Sequence, residues 1–321
     1  MINRLILIAV TLLILLFFHY SPATTISSAK VLGVSPLSTC SHVFIDGKIE
    51  MAPTVYDSST MQPYGNNRQF CYGNSLALEY WGGNHSPRWA AFVLPTKEKH
   101  NCARTEGLPD SRYPENTLKV DSYDNSGLVA AQLATSDLFK TNSCANYYSD
   151  VLTNISPQHK GLHSLWLALN KQISYWQSHS EELYIISGNG YNVFPSDKLH
   201  IFKEGTLNAG KLIPAGTSIE KYVAQSDPLI KLNKEIKDDV LPTAYFALIY
   251  RPETATTKQQ LIGFLFPHSY QDISLIPDGI WAFQAPLTAI ESTADVYFPG
   301  IKNLLGERVD VQDNWFIKHK L

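Results

Sequence analysis

Much of the chemistry open to a chain of 321 residues is excluded here by what the sequence lacks. It has no close Cys-x-x-Cys pair among Cys40, Cys71, Cys102 and Cys144, which argues against a structural zinc site. It has no phosphate-cradling glycine loop, no serine elbow and no paired-carboxylate signature. No internal repeat or low-complexity tract is present, so a solenoid or a disordered polymer is excluded. After the N-terminus, no apolar segment is long enough to cross a membrane. A clustered basic face is also missing: the formal charge is −3, and Lys231, Lys234 and Lys237 alternate with Glu235, Asp238 and Asp239. That interleaving reads as a solvated helix face rather than a phosphate track, and it argues against tight nucleic-acid binding.

What is present begins with an export signal. Arg4 precedes the apolar run Leu5 to Phe18, and small residues follow, with cleavage expected after Ala23 or Ala29. The alternative is an uncleaved membrane anchor formed by residues 5–18. Either way the body of the protein is expected outside the cytoplasm, secreted or periplasmic. An even number of cysteines in an oxidising compartment predicts two disulfides, and four cysteines allow three pairings. Apolar residues make up 44% of the chain and aromatics 12%, enough for a sizeable core.

The expected organisation is a signal or anchor (1–29), a loosely structured lead-in (30–68) and one domain (69–321). Strands are predicted at Ser75–Trp81, Trp89–Leu94, Glu182–Ser187, Ala244–Tyr250 and Leu261–Phe266. Gly188 reads as the end of the third. A loop-rich stretch is expected from Pro95 to Val120. Leu162, Leu165, Trp166, Leu169, Ile173 and Trp176 recur at helical spacing and predict an amphipathic helix. The tail from Leu287 to Ile301 mixes helical and turn signals. The fold class is α+β.

From Phe70-Cys71-Tyr72 and Pro87-Arg88-Trp89 onward, the chain resembles the DNA/RNA non-specific endonucleases. Tyr123-Asp124-Asn125-Ser126-Gly127-Leu128-Val129-Ala130-Ala131 falls where that family has Tyr-Asp-Arg-Gly-His-Leu-Ala-Pro-Ala. Thr153-Asn154-Ile155-Ser156-Pro157-Gln158 is similar to its Ser-Asn-Ile-x-Pro-Gln segment, and Leu183-Tyr184-Ile185-Ile186-Ser187-Gly188 to its Val-Tyr-Val-Val-Thr-Gly strand. Leu241-Pro242-Thr243, Gly263-Phe264-Leu265-Phe266-Pro267 and Ile290-Glu291-Ser292-Thr293 follow in the family's order. The resemblance covers about residues 70–300. It implies the ββα-metal fold, a central, mainly antiparallel sheet with flanking helices.

In that family the motif histidine is the general base, an asparagine at the start of the next helix holds a divalent metal, and a glutamate further on orders the metal's waters. An upstream arginine contacts the phosphate. The histidine position here is Gly127, which cannot carry a proton. Asp124 is retained, as a weak base or as a local structural residue. Counting forward from Asn154 puts His163 at the metal asparagine, while counting back from Trp166 puts Leu162 there. The glutamate falls on Asn170. His163 and Asn170 lie two turns apart on one helix face, and with His159 they could form a transition-metal site; otherwise they are ordinary polar residues. Arg104 stands at about the right distance to contact phosphate, and Asn154 keeps the family identity. The remaining histidines at 85, 100, 179, 200, 268 and 319 suggest no site by spacing.

The resulting expectation is an exported, endonuclease-like protein with weak or no catalysis, kept for binding DNA, RNA or another protein. Membrane contact is expected only through an uncleaved N-terminus. The first alternative is an active nuclease or phosphodiesterase using magnesium, manganese or zinc, with His159 or His163 as relocated base. The second is an envelope structural protein.

Overall fold

The computed structural model describes residues 34–48, 53–57, 62–63, 67–95, 120–139, 143–199, 202, 206–226, 230, 232–255, 258–298, 301 and 315–321. The N-terminal segment through Ala29, Cys102, Arg104 and Lys231 lie outside them, as does most of the expected loop after Pro95. Among the described residues no helix is long and apolar enough to cross a membrane.

Ser35–Leu321 forms one compact unit. The strands are β1 (Val34–Ser35), β2 (Thr54–Asp57), β3 (Gln62–Pro63), β4 (Asn67–Tyr72), β5 (Leu76–Trp81), β6 (Ser86–Leu94), β7 (Leu128–Gln132), β8 (Ile155–His159), β9 (Leu183–Gly190), β10 (Ala244–Arg251), β11 (Gln260–Pro267) and β12 (Val296–Tyr297). The α-helices are α1 (Cys144–Ser149), α2 (Lys160–Gln177), α3 (Ile219–Ser226), α4 (Leu287–Ala294) and α5 (Trp315–Lys318). Seven strands form the central sheet in the order β1-β4-β5-β6-β9-β10-β11. Every pair from β4 to β11 in that order is antiparallel. The architecture is α+β, as expected.

β6, β9 and β10 are buried along their whole length, which means both faces of the sheet are covered. Successive side chains on a strand point to opposite faces, so neighbours on β10 sort the two layers. Tyr245 meets Trp166 of α2, with ring centres 6.0 Å apart. Phe246, one residue on, meets Phe298 at 6.1 Å. Trp176, roughly three turns beyond Trp166 on α2, reaches Phe264 of β11 at 6.4 Å. The large residues that predict the helix are thus the ones that seat it on the sheet.

Several boundaries differ from the sequence expectation for identifiable reasons. β9 continues through Gly190 instead of ending at Gly188. A Cβ at Gly188 would lie 2.5 Å from the Arg88 carbonyl and from the Phe246 ring, so this glycine permits close packing inside the strand. β6 starts at Ser86 and includes Pro87. Residues 234–238 form turns, not the expected helix; the run is short and has Ile236 as its one buried apolar residue. Within the expected lead-in, Cys40, Val43, Phe44 and Ile45 are buried. Cys40 is disulfide-bonded to Cys71 of β4, with Cα atoms 5.5 Å apart. Cys144 is also disulfide-bonded.

Candidate functional site

β7, β8 and α2 form a compact ββα unit. β7 pairs with β8 antiparallel, from Leu128 opposite His159 to Gln132 opposite Ile155. His159 is the N-cap of α2, so the residue before Leu128 lies beside the start of that helix. That residue is Gly127.

The turn entering β7 is closed by its own backbone. Asp124 donates its N–H to the Asp121 carbonyl at 3.0 Å, and Ser126 donates its N–H to the Tyr123 carbonyl at 3.1 Å. The buried Ser126 hydroxyl donates to the same Tyr123 carbonyl at 2.5 Å and accepts from the Leu128 N–H at 3.1 Å. Asn125 and Gly127 have φ of 61° and 76°, in the left-handed region that favours asparagine and glycine. Among the described residues nothing lies within 4 Å of a Cβ built on Gly127. The glycine therefore serves the turn's backbone. Asp124 is exposed in this turn.

The other candidates divide into two groups. Asn154 is fully buried and its amide is saturated: Oδ1 accepts from the Ala134 N–H at 3.0 Å, and Nδ2 donates to Ala134 and Ser149 carbonyls at 2.9 and 2.7 Å. Asn170 is buried too, and its Nδ2 donates to the Thr135 hydroxyl at 2.8 Å. Both fasten the long β7–β8 connection to its surroundings. His159 and His163, by contrast, are half-buried on the first turn of α2, four residues apart and on one face.

The two rings are oriented differently. His159 Nδ1 accepts the Gly161 N–H at 3.2 Å, which caps the helix and leaves the proton of the neutral ring on Nε2. His163 Nδ1 lies 3.0 Å from Gln158 Oε1 and donates to it, leaving a lone pair on Nε2. Burial lowers the pKa of both rings; nearby Asp272 partly offsets this at His159. The Asp272 carboxylate abuts the helix start, since a Cβ on Gly161 would run into its Oδ1.

His268, a residue without a spacing signal, anchors this junction. It is fully buried; Nδ1 donates to the Pro242 carbonyl at 2.6 Å, and Nε2 accepts the His159 N–H at 3.0 Å. Burial pushes its pKa down to about 3. The contact spans 109 residues, so only the closing of β8 against the end of β11 could reveal it.

A magnesium ion prefers oxygen ligands in octahedral array. The Asn154 amide oxygen is committed to the Ala134 N–H, Asn170 is turned with its Nδ2 to the Thr135 hydroxyl, and the helix face offers imidazoles instead. Among the described residues no group of three or more His, Cys, Asp or Glu side chains could hold a metal ion. These residues do not fit the metal site that the family resemblance implies.

No protein-family model matches the chain, and no curated protein does. Among solved structures, it is similar to a chain in the crystal structure of the EndoG/EndoGI complex, which concerns the mechanism of EndoG inhibition. The TM-score is 0.52 at 17% identity, over 73% of this chain and 86% of that one. The fold is endonuclease-like.

Proposed function

We propose that this is an endonuclease-like protein in which binding has been kept while efficient phosphodiester cleavage has been lost. The observation that carries this reading is the glycine at position 127, beside the start of α2. Removing a general base costs about 10² to 10⁴ in rate. Loss of a metal ligand and its supporting group costs about 10 to 100-fold each. Asn154, with both ends of its amide spent on internal hydrogen bonds, does not offset those losses. The ligand is a nucleic acid, a protein or a cell-envelope component, and the similar solved structure is itself a protein–protein complex. The reading includes export, which suits the Cys40–Cys71 bond and the apolar run at residues 5–18.

One observation favours a second reading, a working phosphodiesterase with a relocated base. His163 is held through Nδ1 by Gln158, and its Nε2 is free to accept a proton. The purified protein should be incubated with DNA and with RNA, in magnesium, manganese, zinc and chelator separately. Background-level cleavage throughout, with retained binding, is the expected result. Rapid cleavage that disappears in His163→Ala would replace the first reading with the second.

A further inference from the structure

His85 and Asp239 meet far from the sequence neighbourhood of either. His85 Nδ1 lies 2.9 and 3.1 Å from the two carboxylate oxygens of Asp239, and the Asp239 side chain is only 7% exposed. Beside them, Asn84 clasps the same segment: its Nδ2 donates to the Val240 carbonyl, and its Oδ1 accepts the Val240 N–H. His85 itself has φ 44° and ψ 36°, a left-handed conformation that histidine seldom adopts without compensation. The contact therefore holds the β5–β6 turn in an unfavourable backbone state.

What this clasp fastens is the wall behind the Asp124–Gly127 turn. Residues 232–241 are bonded to the start of α3: Ile219 donates its N–H to Asp239, Glu220 to Lys237, and Leu241 to Thr217. Ile219, Tyr222, Val223, Ile236 and Leu241 then form one buried apolar cluster with Tyr123 and Leu128, the residues that bracket the turn. We propose that the His85–Asp239 contact is a proton-operated latch, closed at mildly acid pH and loosened at alkaline pH, that holds α3 and residues 232–241 against the turn carrying Asp124 and Gly127.

The groups facing the latch agree with that direction. From its own segment come Asp239, Glu235 and Asp238, with Lys237 paired to Asp238 at 3.7 Å. From the 120–127 turn comes buried Tyr123, and from the end of β9 comes Tyr191, which accepts from Asn84. Arg88 of β6 lies over the Trp81 and Tyr191 rings in the same corner. The hydrogen bond to Asp239 raises the His85 pKa. Burial raises the Asp239 pKa, outweighing the opposite pull of His85 because its carboxylate is the less exposed partner. His85 holds its proton more tightly folded than unfolded, so its contribution is fully present below the unfolded 6.5 and is lost as pH rises through the raised value. The pair also needs Asp239 ionised, so the latch is closed between the Asp239 and His85 values and opens above the latter.

The test is amide-exchange protection, corrected for intrinsic rate, at pH 5.5 and 8.5. In the wild type, protection of residues 217–223, 232–241 and 121–127 should fall at least about fivefold at the higher pH, while β10 and β11 hold constant. His85→Asn tolerates positive φ without titrating in this range, and should change less than about twofold. Asp239→Asn, which keeps the shape, should do the same. A wild type without the fall, variants that retain it, or a fall shared equally by β10 and β11 would each overturn the latch.

Discussion

Protonating His268 should loosen the start of α2 and destabilise the whole fold. The ring has no exposed atom and both nitrogens are used in one tautomer: Nδ1 gives its proton to Pro242, and Nε2 receives one from His159. A second ring proton would put two N–H donors face to face inside the core. Its pKa falls from the ordinary 6.5 to about 3. For a histidine with a depressed folded value, stability is complete above the unfolded pKa and drains away as pH falls toward the folded one. Each unit below 6.5 removes about 1.4 kcal/mol, so acidification to pH 5 should remove about 2 kcal/mol. Urea unfolding at pH 7, 6 and 5 measures this, with His268→Gln as reference. The variant should be less stable at neutral pH by about 1–3 kcal/mol, yet its difference from wild type should shrink with acid. Using that difference cancels the titrating groups that do not touch His268, including lowered His163 and raised His85. A difference that stays constant from pH 7 to 5 would refute the assigned tautomer.

Three further outcomes are expected. Gly188→Ala should lower stability by about 1–3 kcal/mol in thermal unfolding, because the added methyl meets the Arg88 carbonyl and the Phe246 ring at 2.5 Å. Replacing both Cys40 and Cys71 by alanine should cost about 3–4 kcal/mol for a bridge closing 31 residues, measured by denaturant titration against the oxidised protein. Gly127→His should fold with a penalty of about 1–2 kcal/mol from its positive φ, and DNA cleavage should stay at background, since the proposed loss extends to the metal ligands.

The parts of this fold that are legible in the sequence are those where burial leaves a periodic trace. β10 and β11 are continuous apolar runs, and α2 repeats its large residues every three or four positions. β7 and β8 leave no such trace. β8 reads Ile-Ser-Pro-Gln-His, and its central proline and polar residues read as loop rather than strand. Motif order assigns Gly127 to the histidine position of the resemblance, and it is the pairing of β7 with β8 that sets it beside His159 and the start of α2. What the order could not convey is how each amide and ring is spent. Gln158, His268 and the His85–Asp239 pair acquire their roles only when distant segments meet. Arg104 lies outside the described residues.

The saturated amide of Asn154 also bears on how mutational scans of this region are interpreted. Alanine there would strand one main-chain donor and two main-chain acceptors, a penalty of several kcal/mol. A scan scored only by lost output would rank Asn154 among the most sensitive positions and credit it with chemistry. Its sensitivity would in fact measure the cost of unpinning the β7–β8 crossing, so abundance must be recorded with output for each variant.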